Sequence, residues 1–186
     1  MAVATALTPK TRMTLMEYEA LDPHLRYELI EGELVEMAPT GEQHGGVTYK
    51  LPLEPSYFVK KKKLGLSFGA ETGFVIDVGR NTVLAPDWAF ICADRLPENL
   101  SEKFSRVVPD AVLEVRSPSN RPVQVRRKME LWVAAGVRLV WEYDPKTKLM
   151  TVYRPEKEPQ EIGLDDIVSG EDVIPGFAMT LREMLA

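Results

Sequence analysis

The chain has little of what several protein classes require. One cysteine, Cys92, stands in 186 residues, so no internal disulfide can form and a disulfide-stapled secreted scaffold is excluded. It ends the apolar run Trp88-Ala89-Phe90-Ile91-Cys92, which reads as a buried thiol in a reducing cytoplasm. No apolar stretch approaches the roughly 20 residues that cross a bilayer as a helix, so no membrane partner is expected. There is no excess of positive charge either. The 23 Lys and Arg against 28 Asp and Glu leave a net charge of −5, which argues against a protein that coats nucleic acid through bulk charge. An enzyme acting on nucleic acid stays open, because a metal site needs acids and local basic patches can steer a substrate. Two such patches exist, Lys60 to Lys63 and Arg121 to Lys128, and each also reads as a solvated helix face. Internal repeats and low-complexity linkers are missing.

What is present has the balance of an ordinary globular chain, 45% hydrophobic and 27% charged. Its length suits one domain with a sizeable core. The opening MAVATALTPKTR has no basic start followed by an apolar run and does not read as a signal peptide. Residues 1–12 are expected as a flexible tail and 13–186 as a single domain. Thr14 followed by Glu17 fits a capping box opening a short helix over 14–21. Tyr27-Glu28-Leu29-Ile30 and Leu34-Val35-Glu36-Met37 flank Glu31-Gly32-Glu33 as a hairpin. A helical stretch over 43–63 must kink or split at Pro52 and Pro55. Strands are predicted at 67–72, 74–78, 84–93, 111–116, 138–143 and 149–154, with a turn at Asp144-Pro145-Lys146-Thr147. From Pro122 to Ala135 the apolar period becomes helical, through Val125, Met129, Trp132 and Val133, and Gly136 stands where the helix should end. A short helix near Leu181 closes the chain. Strands alternating with two principal helices predict a mixed sheet with helices packed on it, in the α/β or α+β class.

Two acids stand out because each sits in an otherwise apolar strand: Asp87, after Ala85-Pro86, and Glu114, in Leu113-Glu114-Val115-Arg116. A carboxylate there loses hydration and needs a cation or several donors. Alternation places Asp87 with Ala89 and Ile91 on one face, and Glu114 with Val112 and Arg116 on one face. Were these strands neighbours, the two carboxylates could converge on one hard cation. Mg²⁺ suits one or two carboxylates completed by water and a substrate phosphate. Alternatively Glu114 pairs with Arg116 or another base, and Asp87 caps a turn after Pro86. Lys128 lies one helical turn before Trp132, at the edge of the apolar stripe. From there it can lean toward the sheet and orient a metal-bound water or neutralise developing charge, or it can snorkel to solvent. Arg116 stays protonated, so it can only hold phosphate or an acid such as Glu114.

At these residues the chain resembles a known family. Arg26-Tyr27-Glu28-Leu29-Ile30-Glu31-Gly32-Glu33-Leu34-Val35 comes first, then Pro39-Thr40-Gly41 with His44 close behind, and Pro86-Asp87. Val112-Leu113-Glu114-Val115-Arg116-Ser117-Pro118-Ser119-Asn120, Lys128, Ala134-Ala135-Gly136-Val137, Trp141, Asp144-Pro145 and Pro175-Gly176-Phe177 follow in order. Together they are similar to the Uma-two family of putative restriction endonucleases, over almost the whole chain beyond the first dozen residues. That family in turn is similar to the PD-(D/E)xK nuclease superfamily. The resemblance implies a restriction-endonuclease-like fold, a mixed central sheet flanked by helices, and Mg²⁺-dependent hydrolysis of DNA phosphodiester bonds, with Mn²⁺ as a second usable ion. It implies Asp87 and Glu114 as the metal-holding acids. The superfamily's usual lysine falls at Arg116, and the lysine itself is displaced to Lys128 on the next helix. His44 stands where related nucleases often carry an extra acid, which implies an auxiliary role. Glu28 and Glu33 are weaker candidates beside His44 and read first as surface hairpin charge, and His24 reads as a surface residue. The chain departs from the family at Gln124, where an acid is common, and at Trp132, where tyrosine is common. The alternatives are a nuclease-fold binding or assembly module without activity, and a metal hydrolase of another phosphoester. A homodimer is expected, since cutting both strands of a duplex needs two sites, with Met150, Val152 and Tyr153 as exposed apolar residues on a late strand.

Overall fold

Short-range signals shape most elements in chain order. The computed structural model describes residues 12–21, 26–37, 39, 41–77, 79–118 and 121–186. The expected tail up to residue 11, His24, and Thr40, Ser119 and Asn120 of the family-like motifs lie outside them. Helix α1 (Leu15–Glu19) opens on its capping box: Glu17 N–H donates to Thr14 Oγ1 at 3.3 Å, and Thr14 N–H donates to the Glu17 carboxylate at 2.7 Å. Strands β1 (Tyr27–Ile30) and β2 (Glu33–Glu36) form a hairpin whose turn residues Glu31 and Gly32 have φ of 51° and 83°. A two-residue connection needs that left-handed geometry to follow strand twist. The helical stretch splits into α2 (Glu42–Lys50) and α3 (Leu53–Lys62), with Pro52 at the N-cap of α3 and Pro55 in its first turn. Amides in a first turn have no intrahelical acceptor, so the proline rings cost no hydrogen bond there.

Next come β3 (Gly65–Gly69), β4 (Phe74–Asp77), β5 (Thr82–Leu84), β6 (Trp88–Cys92) and β7 (Ala111–Val115). Helix α4 (Pro122–Ala134) begins with proline in its first turn and stops at Gly136, whose φ of 97° reverses the chain. Strands β8 (Leu139–Asp144) and β9 (Leu149–Arg154) flank a turn in which Lys146 N–H donates to Asp144 Oδ1 at 2.9 Å. Strands β10 (Lys157–Ile162), β11 (Ile167–Ser169) and β12 (Ala178–Thr180), then helix α5 (Leu181–Leu185), complete the chain.

The central sheet runs β10-β9-β8-β7-β6-β3, with β7 and β8 parallel and every other pair antiparallel. The parallel pair requires a crossover, which α4 supplies. A smaller antiparallel sheet, β2-β1-β5-β4, and the pair β11-β12 complete the architecture, a mixed α+β fold with helices on a central mixed sheet. One face of the central sheet presents Trp88, Phe90, Leu113 and Trp141 to Val59 of α3 and to the C-terminal Ile174, Phe177 and Leu181. Trp88 and Trp141 stack there, with ring centroids 6.0 Å apart. The other face presents Ala89, Ile91, Val112 and Val140 to Met129 and Trp132 of α4 and to Phe74 and Leu84 of the small sheet. Each fully buried large side chain contributes about 1.5–3 kcal/mol, so these two layers dominate the fold's stability. Among the described residues no helix is long and apolar enough to cross a membrane.

Three expectations need correction. The strand predicted over 84–93 is two strands in different sheets, separated by Ala85-Pro86-Asp87, because Pro86 has no N–H to continue a ladder. Met150 and Val152 are buried, since β10 covers the edge of β9 and their side chains join the core under the C-terminal segment. They offer no dimer surface. Cys92 is partly buried rather than fully enclosed.

Candidate active site

The site grows from the break between the two sheets. Ala85 leaves β5, Pro86 prevents further pairing, and Asp87 enters at the start of β6. Strand β6 pairs with β7 so that Trp88 lies opposite Leu113 and Ala89 opposite Val112. Continued by one residue, that register sets Asp87 against Glu114. Asp87 Oδ2 accepts the N–H of Val115 at 2.6 Å, which caps the end of β7 and turns the carboxylate toward its neighbour.

Glu114 points to the face that α4 covers and is 8% exposed. Lys128 and Trp132 sit four residues apart on α4, one turn above the other, and both reach it. Lys128 Nζ lies 2.8 Å from the carboxylate, and Trp132 Nε1 donates to Oε1 at 2.9 Å. The Trp132 departure from the family pattern therefore keeps a donor on Glu114. Gln124 stays exposed in the first turn of α4, where its Oε1 accepts the Arg121 N–H at 3.4 Å.

Glu28 was read as surface hairpin charge, and the structure overturns that. It is 6% exposed, accepts the Ala85 N–H at 2.8 Å, and lies 2.9 Å from Lys128 Nζ. The sequence did carry a signal, since Glu28 sits in an apolar strand run between Tyr27 and Leu29, as Glu114 does. Glu33 is exposed, as read. Arg116 does not pair with Glu114. It bonds Glu142 through Nε at 2.8 Å and through its second amino group, and Asp144 at 2.8 Å. Glu142 is the parallel-register partner of Glu114, so it captures the arginine one strand over.

His44 comes from the first turn of α2 and is 9% exposed. Its Nδ1 has no hydrogen-bond partner among the described residues, and its ring is near enough for Asp87 to feel its charge.

Electrostatics set this cluster apart. Burial raises the Asp87 carboxyl above the usual range; the Val115 N–H, Lys128 and His44 oppose that, and Glu28 reinforces it. Burial pushes Glu114 up to about 8, with Lys128 opposing and the Glu28 and Asp87 charges adding to the rise. Burial alone would lower the Lys128 ammonium, yet the Glu114 and Glu28 carboxylates outweigh it and hold Lys128 above the ordinary lysine value. Two carboxylates, Glu114 and Glu28, thus lie on one ammonium, and Asp87 is near enough to feel its charge. Among the described residues no group of three or more His, Cys, Asp or Glu forms a ready metal cage. Mg²⁺ does not need one, since it takes one or two carboxylates and completes its shell with water and phosphate. The oxygen-donor chemistry of Asp87 and Glu114 fits such an ion.

A model of the Uma2 family, described as putative restriction endonuclease, matches residues 15–182. No curated protein matches the chain. Among solved structures it is similar to a putative nuclease belonging to DUF820 from Anabaena variabilis, with a TM-score of 0.83 and 20% identity, over 93% of this chain and 97% of that one. At that identity the likeness is one of fold.

Proposed function

This chain belongs to the Uma2 family, and from that premise we propose that it is a Mg²⁺-dependent endonuclease hydrolysing DNA phosphodiester bonds. Family and fold together support a nuclease. The observation that carries the finer reading is the buried acidic cluster: Glu28 and Glu114 on one ammonium, with Asp87 close enough to feel both Lys128 and Glu28. Asp87 and Glu114 would hold the ion, with Mn²⁺ as a substitute. When bound, it polarises the phosphoryl group and acidifies a water. Lys128, held protonated, serves as a donor through Nζ to the attacking water or to charge developing on phosphate, and not as a base. His44 offers an unpartnered Nδ1 as an auxiliary group toward substrate or water. Arg116 is engaged by Glu142 and Asp144, so its contribution is to hold the end of β7 in place. That commitment, and a lysine lying on the metal-binding acid, favour one second reading, a nuclease-fold binding module without turnover.

The test is calorimetric titration with Mg²⁺ together with cleavage assays on single-stranded, double-stranded and supercoiled DNA, with Mg²⁺ and with Mn²⁺. We expect the wild type to bind Mg²⁺ and cleave. Lys128→Met should bind Mg²⁺ nearly as well without turnover, and Asp87→Asn should lose both. A wild type that cleaves nothing across the panel overturns the endonuclease reading in favour of the binding module. Cleavage of a duplex needs two such sites, so a two-fold dimer is part of the proposal; light scattering that gives a monomer mass at micromolar concentration would remove it.

A further inference from the structure

We propose that Glu28 is a positioning residue that keeps Lys128 in the site when Glu114 turns to a metal ion; the inference rests on the nuclease reading above. Lys128 Nζ is shared between two carboxylates, Glu114 at 2.8 Å and Glu28 at 2.9 Å. They belong to different sheets and face different demands. Glu114 already receives Trp132 Nε1 as well as the ammonium, and it is one of the two acids suited to the cation. A cation on Glu114 repels an ammonium on the same oxygens, since like charges a few ångströms apart in a buried site interact strongly. A lysine held by Glu114 alone would then leave through its open side, where 19% of the side chain meets solvent.

Glu28 prevents that departure because its own position does not depend on the ion. Its Oε1, the atom facing Lys128, also accepts the Ala85 N–H at 2.8 Å. Strand β1 beneath it is fixed on both sides, by β2 and by the Leu29–Val83 pairing to β5. The same Ala85-Pro86-Asp87 segment that brings Asp87 to the site thus anchors the carboxylate that holds Lys128. The lysine's counterion and the metal's ligand are two separate acids.

Two variants and one loaded crystal test this. Glu28→Gln keeps an acceptor for Ala85 N–H and removes only the charge; Glu28→Asp keeps the charge on a shorter arm. In Mg²⁺-loaded wild-type crystals, Lys128 Nζ should stay on Glu28 after leaving Glu114. Glu28→Gln should lower kcat by about 10–100-fold, the usual cost of losing an outer-shell partner. KM and calorimetric Mg²⁺ affinity should stay close to wild type, and in loaded crystals of this variant Lys128 should be displaced. Glu28→Asp should recover part of kcat. Glu28 bound to the ion, with Mg²⁺ affinity falling as in Asp87→Asn, overturns the proposal and makes Glu28 a ligand. Equal kcat in Glu28→Gln and wild type, or Lys128 away from Glu28 in the loaded wild type, overturns it as well. All three results leave the nuclease reading standing, whereas a wild type that neither binds Mg²⁺ nor cleaves removes that reading and the proposal together.

Discussion

Strands β6 and β7 bury carboxylates at both ends of one antiparallel pair, and the two ends are built differently. At one end Asp110, 1% exposed, accepts the Cys92 N–H at 2.8 Å and faces two guanidinium groups, Arg95 at 2.7 Å and Arg138 at 3.1 Å. Burial alone would raise its carboxyl, but the Cys92 N–H and Arg95 hold it below the usual range. The Cys92 thiol beside it is pushed up to about 11 by burial and by Asp110, so it stays protonated and unreactive. At the other end Glu114 and Glu28 share one lysine with Asp87 close by, and burial with repulsion among the carboxylates raises Asp87 and Glu114. Burial of a charge is therefore no mark of function in this molecule. What separates the proposed site from the other end is burial without enough opposite charge, an arrangement that leaves a place for a cation.

The largest expected effect comes from breaking the balanced end. Asp110→Asn strips Arg95 and Arg138 of their shared counterion and should cost about 2–3 kcal/mol of unfolding free energy in urea. The same isosteric change at the other end, Glu114→Gln, should be neutral or stabilising without metal, since burial already favours an uncharged group there. An equal loss at both positions would erase the distinction between the ends.

The pH responses should also have opposite signs. Asp110 has a lowered folded value, so its stabilisation is present above about pH 4, its unfolded value, and is lost as pH falls through the folded value. Glu114 has a raised one, so the folded state holds a proton that the unfolded state gives up. Its stabilisation is complete below about pH 4.3 and is lost as pH rises through about 8. In EDTA the wild-type Tm should fall by roughly 3–6 °C between pH 5 and pH 8.5, about 1–2 kcal/mol for a chain of this size. Glu114→Gln should flatten that limb, and Mg²⁺ should restore the wild type. A Tm that rises over this interval in EDTA would contradict the raised Glu114 carboxyl. The smallest expected loss belongs to Trp132→Phe, which keeps an aromatic ring in the core and removes the Nε1 donor to Glu114. A loss of about 1 kcal/mol is expected from the bond, and no loss would mean that the Nε1 donor to Glu114 adds nothing to stability.

Asp87, Glu114 and Lys128 could be singled out from the sequence because each breaks a local pattern: an acid in an apolar strand, or a lysine at the margin of an apolar helical stripe. Glu28 broke the same pattern, yet a charged hairpin turn next to it made surface charge the simpler reading. Strand β10 could not be found at all. Its residues are polar and exposed up to Ile162, and it carries Pro159, so no alternation marks it. An edge strand with one paired neighbour tolerates such a sequence.

The sequence by itself determined the parts whose physics is local. The capping box at Thr14, the split at Pro52, the left-handed turn at Gly32 and the stop at Gly136 each depend on residues a few positions apart, so they can be read before any fold is known. It also determined that α4 would carry Lys128 and Trp132 on one face, because helical period alone sets that. Tertiary structure alone decided which charge meets which. Arg116 shares a strand face with Glu114, but Glu142, arriving on the parallel neighbour, takes it. Glu28 is 86 positions from Glu114 in the chain and meets the same lysine only because β1 and α4 are brought together. Met150 and Val152 were hidden by a strand and a C-terminal segment that follow them. Strand and helix propensities act within one element, whereas the partner of a buried charge is set by whichever element the core's packing places beside it.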